Sequence, residues 1–225
     1  MFQKHKKVFA SWSGGKDSAL ACYLAKKNCN AEVTSLLNML SENGTHSRSH
    51  HLSAKVLQLQ TAAMGIPMVQ MKATWQHYEE EFKKALLKFK KEGIQAGVFG
   101  DIDLQEHRDW VEKVCNETSM ESLLPLWHRT RESLMEEFIS AGFKAIIVAV
   151  NLEFLGSEWL GRQIDAEFVE DIKRLPQVDL CGEKGEYHTF VTSGPLFKKR
   201  IEITKSRRRY KKGRWFLDIL EWRIV

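Results

Sequence analysis

Only four of the 225 residues are cysteine, and Cys22, Cys29, Cys115 and Cys181 stand far apart with no C-x-x-C pair among them. That spacing excludes a zinc knuckle and a dithiol redox motif, and no disulfide is expected in the reducing compartment to which the chain points. Cys22 and Cys29 are seven residues apart, share a helical face and read as packed side chains. No run approaches the roughly 18 consecutive apolar residues of a membrane span. The opening Met1-Phe2-Gln3-Lys4-His5-Lys6-Lys7 has no apolar stretch of the signal-peptide kind, so a cytoplasmic protein without membrane contact is expected. Internal repeats, low-complexity tracts and a proline- or glycine-rich linker are also missing. With 43% hydrophobic residues the chain can bury a real core, in one large domain or a main domain with a smaller partner.

What is present begins with Ser11-Trp12-Ser13-Gly14-Gly15-Lys16-Asp17-Ser18-Ala19-Leu20. Val8 to Trp12 reads as a buried parallel strand, and Ala19, Leu20, Tyr23 and Leu24 recur at helical spacing. Strand, glycine turn and helix form a backbone anion cradle. Gly14 and Gly15 let the main chain approach an anion, and the new helix contributes free N–H groups and its positive dipole end. Lys16 adds a full charge; Ser13 and Ser18 add hydroxyl donors. The string is not a Walker A loop, because Asp17 follows the lysine where Ser or Thr is required and the upstream glycine is missing. Asp17 is therefore expected either to cap the helix or to hold Mg²⁺. The S-G-G-K-D-S string resembles the PP-loop of ATP pyrophosphatases, a likeness that implies a grip on the pyrophosphate of ATP while AMP forms.

Downstream, strands are expected at Glu32 to Met39, Pro67 to Met71, Ala96 to Ile102 and Ser122 to Leu126. They alternate with helices at Leu52 to Met64, Tyr78 to Glu92 and Glu106 to Asn116. This alternation predicts an α/β fold with a Rossmann-like parallel sheet, ligands lying at the carboxyl ends of its strands. Gly14 and Gly100-Asp101 both fall at such ends. A boundary is placed in the polar run after Trp127, giving an ATP-binding domain, 1–128, and a smaller α+β substrate-binding domain, 129–225. The latter is expected to hold a helix to Ala141, a strand at Ala145 to Val150, a helix from Arg162 to Arg174, and strands at Tyr187 to Val191, Ile201 to Thr204 and Trp215 to Val225.

A second motif is Cys181-Gly182-Glu183-Lys184-Gly185-Glu186-Tyr187-His188-Thr189-Phe190. Its two glycines point to tight backbone geometry, and Glu183 and Glu186 suit a cationic group, Mg²⁺ or acid–base work; a solvated acidic turn is the plainer alternative. His46, His50 and His51 with Arg48 occupy a polar loop, Ser41 to Ser53, which fits contact with an acidic substrate better than a metal, or else simple solvation. Glu106, His107 and Arg108 open a helix beside the expected cleft as acid, base or clamp, or as exposed first-turn residues. The seven tryptophans are scattered, and most read as core or interface residues rather than a stacking platform. From Lys198 to Arg214 ten basic residues face only Glu202. Such a stretch suits nucleic acid or an acidic partner, or a solvated hairpin whose lysines protect an edge strand.

Taken together, S-G-G-K-D-S, Gly65-Ile66-Pro67, Phe99-Gly100-Asp101-Ile102 with Glu106-His107-Arg108, Leu124-Pro125-Leu126-Trp127, Gly142-Phe143-Lys144-Ala145 and G-E-x-G-E-Y resemble the diphthine-ammonia ligase family over nearly the whole chain. The resemblance implies a PP-loop, adenine nucleotide alpha hydrolase type of domain and ATP-dependent amidation of a carboxylate, diphthine on an elongation factor, with AMP and pyrophosphate released. It makes Lys16, Asp17, Glu183 and Glu186 the catalytic candidates. Ser13, Gly14, Gly15, Lys16, Asp17, Ser18, Gly100 and Asp101 would bind ATP, with Mg²⁺ on Asp17 or Asp101. Substrate contacts fall to His46, Arg48, Glu106, His107, Arg108, Gly182, Gly185, Tyr187, His188 and Thr189. Free ammonium is the implied nitrogen donor, since no glutaminase unit is visible, and a homodimer is allowed for. Gly185-Glu186-Tyr187-His188-Thr189 resembles the bacterial branch of the family, where G-E-Y-E-T is usual elsewhere. That likeness implies an acceptor in corrinoid salvage and places a titratable imidazole at the acceptor site. RNA nucleoside modification and a non-catalytic ATP-binding protein are the remaining readings of the same loop.

Overall fold

In the computed structural model, which describes residues 5–48 and 50–225, the apolar Val8-Phe9-Ala10 becomes the fully buried centre of strand β1 (Lys6–Ser11). Burial on both faces is what a parallel strand between two helical layers requires. The other strands of its sheet are β2 (Ala31–Leu40), β3 (Met68–Lys72), β4 (Ala96–Val98) and β5 (Glu121–Leu123). All pair in parallel, in the order β3-β2-β1-β4-β5. The crossovers run through α1 (Lys16–Asn28), α2 (Ala54–Met64), α3 (Tyr78–Lys91) and α4 (Gln105–Glu117). Strand order reverses between β1 and β4, and at such a point the connections leave in opposite directions and open a crevice. The expected Rossmann-like α/β fold is thus present.

The remaining chain adds α5 (Arg131–Ser140), β6 (Lys144–Asn151), α6 (Ala166–Lys173), β7 (Tyr187–Ser193), β8 (Ile201–Lys211) and β9 (Arg214–Ile224). Its four strands make a separate antiparallel sheet, β7-β6-β9-β8. The chain divides into two compact units. The first takes in residues up to Ser13, Asp17–Thr61 and Ile66–His128; the second takes in Gly14–Lys16, Ala62–Gly65 and Arg129–Val225.

Several element ends differ from expectation for identifiable reasons. α6 starts at Ala166 rather than Arg162 because the Asp165 side chain caps it, accepting the Phe168 N–H at 2.9 Å. The residues before it run against β6, where the Ile164 N–H donates to the Ala145 carbonyl. β4 stops at Val98, and β8 continues past the expected end at Thr204 through the basic run to Lys211, as the edge strand of a hairpin. Cys29, expected to pack beside Cys22, lies beyond the end of α1 and is exposed, whereas Cys22 is buried and its thiol is pushed up by desolvation. In the β8–β9 hairpin, Lys205 pairs with Glu221 at 2.9 Å and Arg209 with Asp218 at 3.0 Å. Part of the basic run is therefore matched across the strands.

Phe9 organises the core of the first unit. Its ring meets Phe89 at 5.2 Å, Phe99 at 5.8 Å and Phe82 at 6.4 Å between centroids. α3 supplies Phe82, Ala85, Leu86 and Phe89 from one face, the spacing of an amphipathic helix. Room for Phe9 comes from Gly97 on β4, where a Cβ would stand 2.5 Å from the Phe9 ring tip. Gly97→Ala is accordingly expected to destabilise the protein in urea unfolding by about 1–3 kcal/mol through overpacking. Combining it with Phe9→Leu should cost less than the sum of the two single changes; additive losses would show that the two residues do not share one space.

Candidate active site

Within the first unit the loops at the carboxyl ends of the parallel strands gather the expected residues. Gly100, after β4, lies against the first turn of α1, and a Cβ there would be 2.9 Å from the Asp17 carbonyl carbon. This close approach places the β4 loop beside the β1 loop, as the switch point demands. Ser13 Oγ and Ser18 Oγ stand 3.2 Å apart. Asp17 is the second residue of α1 and so lies inside the helix rather than at its N-cap, where its charge still favours the helix dipole. Asp101 Oδ1 is 3.1 Å from His107 Nδ1, which joins two of the candidates.

Other candidates are committed elsewhere. Arg108 donates to Glu112 at 2.6 Å and covers the Trp127 ring at 5.0 Å; Glu106 is exposed in the same turn. The His46 and Arg48 loop is not merely solvated. The Ser41 N–H donates to the His46 carbonyl, the Arg48 N–H to that of Met39, and Ser47 is buried. The Arg48 guanidinium is held on the Ala73 carbonyl. No group of three or more His, Cys, Asp or Glu side chains suited to a metal occurs among the described residues.

The second unit contains the loop lysine. Strand β7 holds Gly14–Lys16 by two hydrogen bonds: the Val191 N–H donates to the Gly14 carbonyl at 3.0 Å, and the Lys16 N–H donates to Thr189 Oγ1 at 2.9 Å. Lys16 is 4% exposed. Its Nζ donates to the Cys181 carbonyl and lies 5.3 Å from the centre of the Tyr187 ring. Tyr187 in turn donates its hydroxyl to the Leu180 carbonyl at 2.6 Å. Gly182 has φ +72°, and a Cβ there would meet the Tyr187 carbonyl oxygen at 2.9 Å, so the glycine is required by both conformation and space. Gly185 gives its carbonyl to Arg214 at 2.9 Å.

The two glutamates separate in role. Glu186 is fully buried, and its carboxylate accepts the N–H groups of Asp179 at 2.8 Å and Lys184 at 3.0 Å. It therefore shapes its own loop through main-chain N–H groups. Glu183 is half-buried. His188 is half-buried too, on β7 opposite Ala149 of β6.

Sequence reasoning missed Asp179 and Arg131. Asp179 accepts from the Cys181 N–H at 2.8 Å, from Arg131 Nε at 3.1 Å and from the Glu183 N–H at 3.4 Å. Together with Glu186 it fixes the turn that aims the Cys181 carbonyl at Lys16. Burial pushes the Asp179 carboxyl up, but donation from Cys181 and the Arg131 charge outweigh it, and the group is held below its ordinary value. The available signal was an Asp two residues before Cys-Gly, the usual place for an Asx turn.

The diphthamide synthase N-terminal domain matches residues 6–122, and the diphthamide synthase C-terminal domain matches residues 130–225. The chain belongs to the diphthamide synthase family. A diphthine–ammonia ligase of Bos taurus is 30% identical, the match covering 89% of this chain and 84% of that protein. That of Danio rerio is 31% identical over 85% and 84%. The Schizosaccharomyces pombe relative is 28% identical over 88% of this chain but only 36% of its own greater length. A solved structure described as a predicted subunit of tRNA methyltransferase from Methanocaldococcus jannaschii covers 84% of this chain at 15% identity with a TM-score of 0.44. The expected membership of a ligase family thus holds, and no described helix is long and apolar enough to cross a membrane.

Because the folded Asp179 carboxyl is depressed, its stabilising contribution is complete above the unfolded value near pH 4 and is lost as pH falls through the folded value. Asp179→Asn should therefore be less stable than the parent at pH 7, with the gap narrowing as pH is lowered below about 4. Thermal unfolding across that range checks it, and a gap independent of pH would exclude the charged clasp.

Proposed function

We propose that this chain is an ATP-dependent, AMP-forming amide ligase that activates an acceptor carboxylate and joins it to ammonia, the acceptor being diphthine on an elongation factor. The observation that carries the reading is that Lys16, the charged residue of the phosphate cradle, belongs to the same compact unit as the Cys181–Thr189 segment and contacts it directly. One residue is thereby able to link nucleotide and acceptor chemistry. In the proposal, the part up to residue 128 binds ATP and 129–225 shapes the acceptor site.

An acceptor carboxylate oxygen attacks the α-phosphorus, the bond to the bridging oxygen breaks, and pyrophosphate leaves towards the Ser13 to Ser18 cradle. Ammonia then attacks the acyl carbon and AMP departs with the acyl oxygen. Gly14 and Gly15 offer backbone N–H groups, Ser13 and Ser18 hydroxyls, and Lys16 the charge that meets the developing pyrophosphate. Glu183 orients ammonium at the acceptor. Glu186 and Asp179 act through the main chain as positioning residues. Asp17 and Asp101 suit Mg²⁺, since Gly100 brings their main-chain segments together and a nucleotide-borne ion needs only one or two protein carboxylates. That ion, when bound, supplies charge neutralisation on the phosphates.

The test is ammonium-dependent formation of AMP and pyrophosphate from ATP with diphthine-bearing elongation factor. Lys16→Ala should lower the rate by about 100-fold or more, the scale for removing a preorganised group that stabilises developing charge. AMP formation unaffected by the substitution, or absent with this acceptor at saturating ATP and ammonium, would remove the proposal.

A further inference from the structure

Positive charge is concentrated at the C-terminal end of the chain. Residues 198–225 carry eleven Lys and Arg against three Asp and Glu, a formal +8, whereas the whole chain is +5 and residues 1–197 are therefore −3. These residues include the β8–β9 hairpin, with β8 as the outer strand of its sheet. The three carboxylates are committed locally. Glu221 pairs with Lys205 at 2.9 Å, and Asp218 pairs with Arg209 at 3.0 Å and Arg207 at 3.5 Å. Glu202 stands opposite Arg223, and Arg214 donates to the Gly185 carbonyl. Among the described residues the exposed side chains of Arg208, Lys211 and Lys212 make no hydrogen bond or ion pair.

The two faces of the hairpin account for this division. Arg207 and Arg209 share the face of Asp218, whereas Arg208 stands opposite Leu217, and Tyr210 opposite Trp215, on the other. That second face combines a cation with a ring. Tyr210 ends a row of residues, Tyr187, Val150, Trp215 and Tyr210, that crosses the sheet from β7 to its outer strand. It is 53% exposed, and its ring lies 5.3 Å from that of Trp215, tilted by 54°. An aromatic face is thus held in water beside Arg208.

The turn adds a cation where backbone geometry does not ask for one. Lys212 has φ +48° and Gly213 φ +76°, the conformation of a two-residue hairpin turn in which Asn or Gly is favoured at the first position. Lysines that only guard an edge strand belong on the strand. Such protection explains neither a lysine in a left-handed turn nor the ring beside Arg208.

We propose that the β8–β9 hairpin binds single-stranded RNA, Arg208, Lys211 and Lys212 meeting phosphates while a base stacks on Tyr210. Cations and an exposed ring interleaved along one strand are the two elements of single-strand recognition, the charges tracking the backbone and the ring taking a base. An acidic protein would satisfy the charges and leave the ring in water. A second copy would bring the same positive charge. Unstacked bases of single-stranded loops are the usual target in RNA, whereas the bases of DNA are ordinarily paired.

Fluorescence anisotropy of a labelled oligouridylate titrated with the full chain tests this, with oligoglutamate of equal charge, the matching deoxyribonucleotide and an RNA duplex as competitors. Oligouridylate should bind about tenfold or more tightly than oligoglutamate. Tyr210→Ala should weaken it about fivefold or more, the scale of one stacked base, and Tyr210→Phe should keep most of the affinity. Lys212→Gly suits the turn better than lysine does, so it removes the charge while keeping the hairpin. It should reduce the slope of log affinity against log salt by about 0.7, the value for one phosphate contact on a single strand. Binding is read without ATP, so the outcome is independent of AMP formation. Oligoglutamate binding as tightly, with Tyr210→Ala without effect, would assign the hairpin to an acidic protein and overturn the proposal. Tighter binding of the deoxyribonucleotide or the duplex, a salt slope untouched by Lys212→Gly, or a dimer in sedimentation that Tyr210→Ala dissolves would overturn it too.

Discussion

The hydrogen bond from the Lys16 main chain to Thr189 is the constraint on which the site depends. A helix N-terminus leaves donors without intrahelical partners, and here one of them is taken by a buried hydroxyl on β7. The same residue sends its ammonium to the Cys181 carbonyl. Backbone and side chain of one lysine are thereby tied to two points of a single segment, and the phosphate cradle cannot shift without disturbing the turn that ends at Tyr187.

That turn is stiff for reasons that begin with side-chain size. Gly182 adopts a left-handed conformation with no space for a Cβ, and Asp179 and Glu186 collect the main-chain N–H groups that the tight bend leaves unpaired. A buried donor without a partner costs about 1–3 kcal/mol, so two carboxylates are needed where the backbone cannot satisfy itself. The Arg131 guanidinium, brought by the start of α5, balances the Asp179 charge. The segment is thus built as a rigid carbonyl acceptor for the Lys16 ammonium, and its acidic residues hold that turn.

The parallel sheet was legible from periodicity because its strands are short apolar runs separated by amphipathic helices, and the glycine cradle was legible because few other residues fit its geometry. What misled sequence reasoning shares one cause: burial was inferred from residue type. Glu186 reads as a reactive carboxylate in a polar string but is enclosed by the turn it organises. Trp75 is an exception among tryptophans read mostly as core or interface residues, standing exposed beside the Tyr78 ring. The length of β8 was hidden because an edge strand rich in Lys and Arg lacks the apolar alternation that marks a half-buried one.

By itself the sequence determined the local parts: the strand, glycine turn and helix of the cradle, the alternation that builds the first sheet, and the two-glycine motif before β7. These are properties of neighbouring residues, set by backbone conformation and periodicity. Only the tertiary structure decided that Lys16 joins the unit of Thr189 and Cys181, that Gly100 rests on Asp17, and that Arg48 lies over Trp75. Each of these pairs is separated by at least 27 residues, and the interactions concerned act over a few ångströms of space rather than along the chain.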